Sequence, residues 1–387
     1  MRLEKYKYSK HMKTLFIVYT YLGGHGGGVY AERTDVNLFA ALSEKMTLVY
    51  PYKEGEELRG INTEGLELIP VPDMRSNVSK FMGLLAGKVH RYKLDESFFD
   101  KSRFDVVVFD NSVVSSRLVK RFNKAGIKTI TIHLNYQIQY LLGDCPRLTL
   151  LPNLFWTWIY EGQAVRNSDL NLTLTQQDVE LLQKHYSKKS KIEVLGVFEY
   201  GPSEIIDLPT RQKGHHFVMT GGLGSKQTED SLLKWINEYY PLLKEVDIEA
   251  QLTIAGSNPS VRLSHVLQEA GIELVASPPD MKPILLNSDY YINPVDCGGG
   301  LKLRNLDGLK YGLPVLTHIV SMRGYEKMET YGVICSYSNP SGFVEGLRKI
   351  MKLPMERVDI QSLYLQQYNF ANGVDCLKEI LTNNGII

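Results

Sequence analysis

The sequence predicts an α/β protein of two Rossmann-like, doubly wound parallel-sheet domains, and three observations predict it. Its 387 residues exceed what a single core comfortably fills and suit two. Short apolar runs alternate with helical patterns over nearly the whole length, the mark of βαβ units. The alternation breaks once, at residues 197–213, where Pro202 and Pro209 stand among charged and small residues.

The first series places strands at residues 15–20, 46–50, 66–71, 105–109, 129–133, 170–175 and 192–195, with helices at 32–43, 112–125 and 176–186. The second places strands at 217–220, 249–255, 273–275, 290–293, 314–317 and 333–336, with helices at 229–243, 261–270, 280–287 and 305–311. Gly126 and Gly312 stand where helix C-caps call for glycine. A helical, aromatic segment at 360–381 follows the second series. Ligands of such sheets bind outside the strand carboxyl ends, so a cleft between the two domains is the expected site.

Bulk chemistry narrows the function. Lys plus Arg number 44 against 43 Asp plus Glu, a formal charge of +1, which argues against a dedicated nucleic-acid binder and leaves room for local basic patches. Cys145, Cys297, Cys335 and Cys376 are scattered, so neither a zinc site nor a disulfide framework is expected. Lys5, Lys7 and Lys10 precede an apolar run at 15–19 and mimic a secretory leader. No small-residue cleavage site follows, and the run is read as the first strand. No stretch has the roughly 18 apolar residues of a membrane span. A cytoplasmic protein is expected, with peripheral contact to an inner membrane face left open.

Two glycine-rich loops carry the strongest signals. Residues 23–28 hold five glycines between the first strand and the first helix, where backbone can approach a ligand closely. Gly27 and Gly28 are the candidates there. The loop lacks the dinucleotide fingerprint and the Lys-Ser/Thr of a Walker loop. Gly298, Gly299 and Gly300 open a second helix, followed by Leu301, Lys302, Arg304 and Asp307. Cations at a helix start oppose the macrodipole and make sense with a diphosphate in front of them. Asp307 is placed to accept hydrogen bonds from ribose hydroxyls.

Weaker candidates follow. His133 ends a strand at its carboxyl end, with Asn135 two positions on. A ligand-facing and a core histidine are equally compatible with that position. Asp110 ends the preceding strand. Lys226, after the 221–224 loop that includes Gly222, reads either as a phosphate contact or as a solvated lysine. The aromatic run 148–160 reads as helix packed in the core, with a lipid-linked acceptor or an interface as the alternative. The chain has no Asp-x-Asp pair to hold a divalent metal, and neither metal nor cofactor is expected.

These residues resemble the GT-B fold glycosyltransferases, in particular the retaining family-4 type common in bacterial polysaccharide and glycoconjugate assembly. The resemblance rests on Gly26–Gly28, the histidine, Asp169 with Thr175-Gln176-Gln177-Asp178, and above all residues 298–315. It implies a nucleoside-diphosphate-sugar donor and a glycan, lipid-linked or protein-linked acceptor. It implies that Lys302, Gly299 and Gly300 meet diphosphate and sugar, Asp307 the ribose and Val275 the base. His133 would face the transferred sugar, and Gly27 and Gly28 the phosphates from the other side. The final helix, 365–387, would complete a first domain of residues 1–197, leaving 198–364 as the donor domain. The family's Glu-x7-Glu pair falls on Gly299 and Asp307, and its loop arginine on Gly222. Three rivals stay open: a nucleotide-sugar epimerase, a catalytically silent homologue serving an active transferase, and a dinucleotide-dependent oxidoreductase.

Overall fold

The computed structural model describes residues 12–387 except 25, 53–57, 73–77, 79–81, 83–93, 144–150, 202–204 and 211–213. His25, Cys145, Pro202 and the first three residues of the 148–160 run lie outside the described residues. The chain forms two compact units, one of residues 1–203 with 368–387 and one of 204–367.

Unit 1 holds seven parallel strands: β1 (Met12–Val18), β2 (Ser43–Tyr52), β3 (Leu66–Pro72), β4 (Val106–Asp110), β5 (Lys128–His133), β6 (Leu170–Thr173) and β7 (Ile192–Val194). Their order, β3-β2-β1-β4-β5-β6-β7, reverses at the β1/β4 pair. Alternate residues of β1 and β4 feed two different cores, and β5 adds to the first of them. Phe16, Val108 and Ile132 face one side, and Leu15, Val107 and Phe109 the other. Strands covered on both faces read as continuous apolar runs, which is why they were legible.

The first helix, Gly27–Leu42, starts five residues before its expected start. The Tyr30 amide bonds the Gly26 carbonyl at 3.1 Å and closes a turn through glycine-rich sequence of poor intrinsic propensity. The Phe370–Asn383 helix is sealed against this layer, with Val374, Leu377 and Leu381 in the same core as Leu38 and Phe39. Residues 198–200 also stay with unit 1. The Glu199 amide bonds the Tyr368 carbonyl at 2.8 Å, and the Thr34 hydroxyl bonds the Phe198 carbonyl at 3.1 Å. The boundary therefore falls at Ser203 rather than at 197. Leu377→Ala is expected to cost about 2–5 kcal/mol, as full burial of its side chain dictates, read as a fall in the urea midpoint.

The Leu151–Asn167 helix corrects the expectation for the aromatic run. Tyr160, Ala164 and Val165 are buried, but Leu151, Phe155 and Trp158 face solvent.

Unit 2 holds six parallel strands: β8 (His216–Gly222), β9 (Gln251–Ser257), β10 (Glu273–Ala276), β11 (Tyr290–Asn293), β12 (Val315–His318) and β13 (Ile334–Tyr337). Their order, β10-β9-β8-β11-β12-β13, reverses between β8 and β11. The helix expected at 229–243 is two helices, Lys226–Glu238 and Tyr240–Val246, because Pro241 starts the second. The segment expected at 360–381 is likewise two, Arg357–Tyr368 and Phe370–Asn383. Asn369 caps the second by accepting from the Asn372 amide at 2.7 Å.

Candidate functional site

In unit 2 the site candidates gather at the carboxyl ends of β8 and β11, on either side of the strand-order reversal, where ligands of such sheets bind. β8 ends in Thr220-Gly221-Gly222, and Ser225 caps the Lys226–Glu238 helix by accepting from the Thr228 amide at 3.3 Å. From the other side come the Gly298–Lys302 loop and the short helix Arg304–Lys310.

Arg304 joins the two. Its Nη2 donates to Thr228 Oγ1 at 2.7 Å and to the Gly222 carbonyl at 3.3 Å. Gly221 has a φ of 141° and lies directly under the guanidinium. A Cβ there would fall 2.5 Å from Arg304 Cζ, so glycine is required twice over, by backbone and by space. The arginine that the resemblance seeks at Gly222 is absent, and this guanidinium reaches the same loop from 82 residues away.

Asp307 points back at β8. Its Oδ2 accepts from Thr220 Oγ1 at 3.0 Å, and Thr220 Oγ1 also lies 2.7 Å from the Tyr291 hydroxyl. The carboxylate is accessible to solvent yet ringed by protein. That enclosure pushes its pKa up to about 6, opposed by the Thr220 hydrogen bond and the Arg304 charge.

Lys302 Nζ donates to the Gly299 carbonyl at 3.1 Å, folding the lysine over its own loop. Gly298, with φ 87°, would carry a Cβ only 2.9 Å from both that ammonium and Gln227 Oε1. The loop is anchored by Arg323 Nη1 on the Gly298 carbonyl at 3.2 Å and by the Tyr325 hydroxyl on the Lys302 carbonyl at 2.9 Å. Beneath it runs a buried amide ladder. Asn293 Nδ2 donates to Asn305 Oδ1 at 2.9 Å, and Asn305 Nδ2 to the Ser321 carbonyl at 2.8 Å. Asn305→Ala strips both buried partners and is expected to destabilise unit 2 by about 1–3 kcal/mol in urea unfolding.

The remaining unit 2 candidates differ in exposure. Lys226 is exposed and paired with Asp230 at 3.0 Å. Val275 sits half-buried on β10, the edge strand. Leu301 is half-buried in the loop, and Gly299 and Gly300 are buried. A surface hollow of about 880 Å³, lined by residues such as Leu242, Cys335 and Val344, shares no residue with the cluster.

Unit 1 corrects two expectations. His133 does not open onto a crevice: it is 2 % exposed. Its Nε2 lies 3.0 Å from Asn171 Oδ1, and its Nδ1 lies 3.9 Å from Glu161 Oε1 on the Leu151–Asn167 helix. Position 133 falls on the sheet face which that helix covers. Burial drives the imidazole down to about 4 and raises the Glu161 carboxyl to about 8, against the Gln137 amide and Tyr186 hydroxyl bonded to it. At neutral pH the ring is therefore neutral and Glu161 is largely protonated.

Asp110 is also buried, on the opposite face, against Glu32 and Asp35 of the Gly27–Leu42 helix. Both its oxygens lack a hydrogen-bond partner among the described residues. Asn135 is half-buried, and its Oδ1 has no hydrogen-bond partner among the described residues. Gly27 and Gly28 form the helix's first turn, and a Cβ on Gly28 would lie 3.9 Å from Leu134 Cδ1, next to His133. Arg33 pins the preceding loop, its Nε bonding the Leu22 carbonyl at 2.9 Å and its Nη2 the Gly24 carbonyl at 2.7 Å.

Among the described residues no group of His, Cys, Asp and Glu is arranged to hold a metal ion.

Sequence reading missed Thr220, Tyr291, Asn305, Arg323 and Tyr325. All act through contacts between distant segments, which no local pattern announces.

Comparison with known proteins places this geometry. Residues 214–352 match the family model for glycosyl transferases group 1. An uncharacterized 44.6 kDa protein in the cps region of Klebsiella pneumoniae is 22 % identical over 332 residues, covering 79 % of this chain and 81 % of that protein. Among solved structures, sucrose-phosphate synthase from Thermosynechococcus elongatus superposes with a TM-score of 0.67 at 10 % identity, over 96 % of this chain and 98 % of that one. The Anabaena protein HepE, in complex with UDP, gives 0.65 at 10 % identity, over 96 % and 100 %. At such identities the structural likenesses establish the fold. The chain is a transferase of the GT-B fold, with a group 1 glycosyltransferase domain at residues 214–352.

Proposed function

We propose that the chain transfers a sugar from a nucleoside diphosphate sugar to an acceptor hydroxyl with retention at the anomeric carbon, without a metal, in bacterial-type polysaccharide or glycoconjugate assembly. The observation that carries the reading is the convergence of Lys302, Arg304 and Arg323 on the glycine loop and the end of β8. Three cations around close-approach backbone suit a diphosphate, and Asp307 beside them suits a ribose diol. The UDP complex of the Anabaena structure supports the donor class, and the cps-region relative supports the setting.

In this reaction the anomeric C–O bond to the diphosphate breaks and its electron pair stays on the phosphate oxygen. The cations stabilise that developing charge. The acceptor oxygen forms the new bond, and its proton passes to the leaving phosphate. His133 is a positioning residue in this scheme: buried and neutral, it fixes the end of β5 beside Leu134 and Gly28.

The test is a thermal-shift screen against UDP, GDP, dTDP, ADP, CMP and their common sugars. One nucleoside diphosphate should raise the melting temperature, and Arg304→Met should diminish the shift. The matching donor should then be consumed only with an acceptor present. Consumption without acceptor would instead indicate an epimerase, and stabilisation by none of the ligands a binding protein.

A further inference from the structure

The chain leaving β5 at His133 reaches the Gln137–Gly143 helix through Leu134, Asn135 and Tyr136. The first amides of a helix have no partner inside it, and a polar side chain just before the helix ordinarily takes them. Asn135 stands at that place, and an Asn carbonyl readily bonds the amide two residues on. Here it does not. Two buried carboxyls reach the amides from far along the chain instead. Asp178 Oδ1 accepts from the Tyr136 amide at 2.8 Å, and Glu161 Oε1 from the Gln137 amide at 3.0 Å.

Both acids are almost fully buried, and each is held in turn. Thr175 Oγ1 donates to Asp178 Oδ2 at 2.6 Å, and the Tyr186 hydroxyl to Glu161 Oε2 at 2.8 Å. Glu161 Oε1 also lies 3.9 Å from His133 Nδ1, so one carboxyl borders the 134–136 loop at both ends. Burying two acids costs free energy that a local Asn turn avoids.

What the arrangement releases is the side chain of Asn135. Its Oδ1 is buried, as is Oε1 of Gln139 four residues on, and neither has a hydrogen-bond partner among the described residues. Leu134 faces the glycine-rich first turn of the Gly27–Leu42 helix, where a Cβ on Gly28 would lie 3.9 Å from its Cδ1. Amide carbonyls with unused lone pairs accept from O–H donors. We infer that Glu161 and Asp178 are positioning residues that hold Asn135 and Gln139 as acceptors for substrate hydroxyls. The inference rests on the sugar-transfer reading. A carbonyl already fixed by tertiary bonds loses little freedom on meeting a hydroxyl, whereas a loose loop would have to be ordered by the substrate.

The experiment measures nucleoside diphosphate release by the full chain from UDP-glucose, UDP-galactose, UDP-N-acetylglucosamine, GDP-mannose and dTDP-rhamnose, with p-nitrophenyl glycosides or water as acceptor. Amide exchange of residues 134–143 is followed by mass spectrometry in the same variants. Asn135→Ala and Gln139→Ala should each lower kcat/KM about tenfold, the loss of one hydrogen bond, with melting temperature and exchange as in wild type. Glu161→Met should lower it at least as much and speed exchange at Tyr136 and Gln137. Glu161→Gln, which keeps an acceptor for the Gln137 amide, should restore both. Glu161→Met combined with Asn135→Ala should cost no more than Glu161→Met alone, because the carboxyl acts through Asn135. The alanine variants break no bond of the fold, so they decide the matter even where Glu161→Met does not fold. A wild type that releases nucleotide from none of these donors overturns the sugar-transfer reading and this inference with it. With an active wild type, unchanged kcat/KM in both alanine variants overturns the inference alone. So does full additivity of Glu161→Met and Asn135→Ala, which would make the carboxyl merely structural.

Discussion

Replacing Lys302 by alanine is expected to lower turnover with the matching nucleoside diphosphate sugar by about 10²–10³-fold. The side chain folds onto the Gly299 carbonyl at 3.1 Å and lies over Gly298, where only the absence of a Cβ leaves room for it. Its charge is therefore held where a diphosphate can approach backbone, and its contribution grows as the leaving group acquires charge. An interaction made mainly in the transition state changes kcat and kcat/KM together, and KM far less. Lys226→Ala should cost about tenfold or less, because that ammonium is exposed and shared with Asp230 at 3.0 Å. Steady-state kinetics of both variants, with circular dichroism to check folding, decide the matter. Equal losses would restore Lys226 to the centre of the site, and an unaffected Lys302→Ala would move the diphosphate elsewhere.

That contrast shows what a single sequence discloses. The Gly298–Asp307 stretch is local: backbone freedom, cation and acid all lie within ten residues, so their association survives translation into structure. Arg304 illustrates the limit. Its residue type and position were visible, but its partner Gly221 lies 83 positions away, and only the assembled β8/β11 pair shows why that glycine is a glycine. The strand series was legible because buried parallel strands are apolar on both faces. The same property concealed the orientation of His133. In Thr129-Ile130-Thr131-Ile132-His133 both alternating sets are buried, so no exposed face marks which way position 133 turns. The aromatic helix failed in the opposite sense. Leu151, Phe155 and Trp158 have core spacing and core chemistry, and nothing in the run itself distinguishes a face covered by protein from one left open.

Raising the pH from about 6.5 to 8 is expected to destabilise unit 1, by about 2 kcal/mol from Glu32 and Glu161 alone, and its buried carboxyls determine the sign. Glu32 is lifted to about 7 and Glu161 to about 8, each chiefly by burial. Asp35 and Asp110 are raised well above the usual carboxylate range, by burial first and then by the neighbouring acids. In the unfolded chain all four ionise below pH 5. Above that pH the native state binds more protons than the unfolded state, so stability falls as pH rises through the native values. His133 works the other way. Its native pKa of about 4 gives stability that is lost as pH drops below the ordinary histidine value near 6.5. Above 6.5 that contribution is constant and the acids alone set the slope. A group that stays protonated in the native state costs about 1.4 kcal/mol per pH unit, or roughly 2 kcal/mol over this window. Asp110→Asn removes one of these raised carboxyls, whose own rise Glu32 and Asp35 help sustain. Urea unfolding at both pH values should show a shallower decline for Asp110→Asn than for wild type, with the variant the more stable at pH 8. Parallel declines would mean that Asp110 is already ionised in the native protein, held by a compensating cation or water beneath the glycine loop.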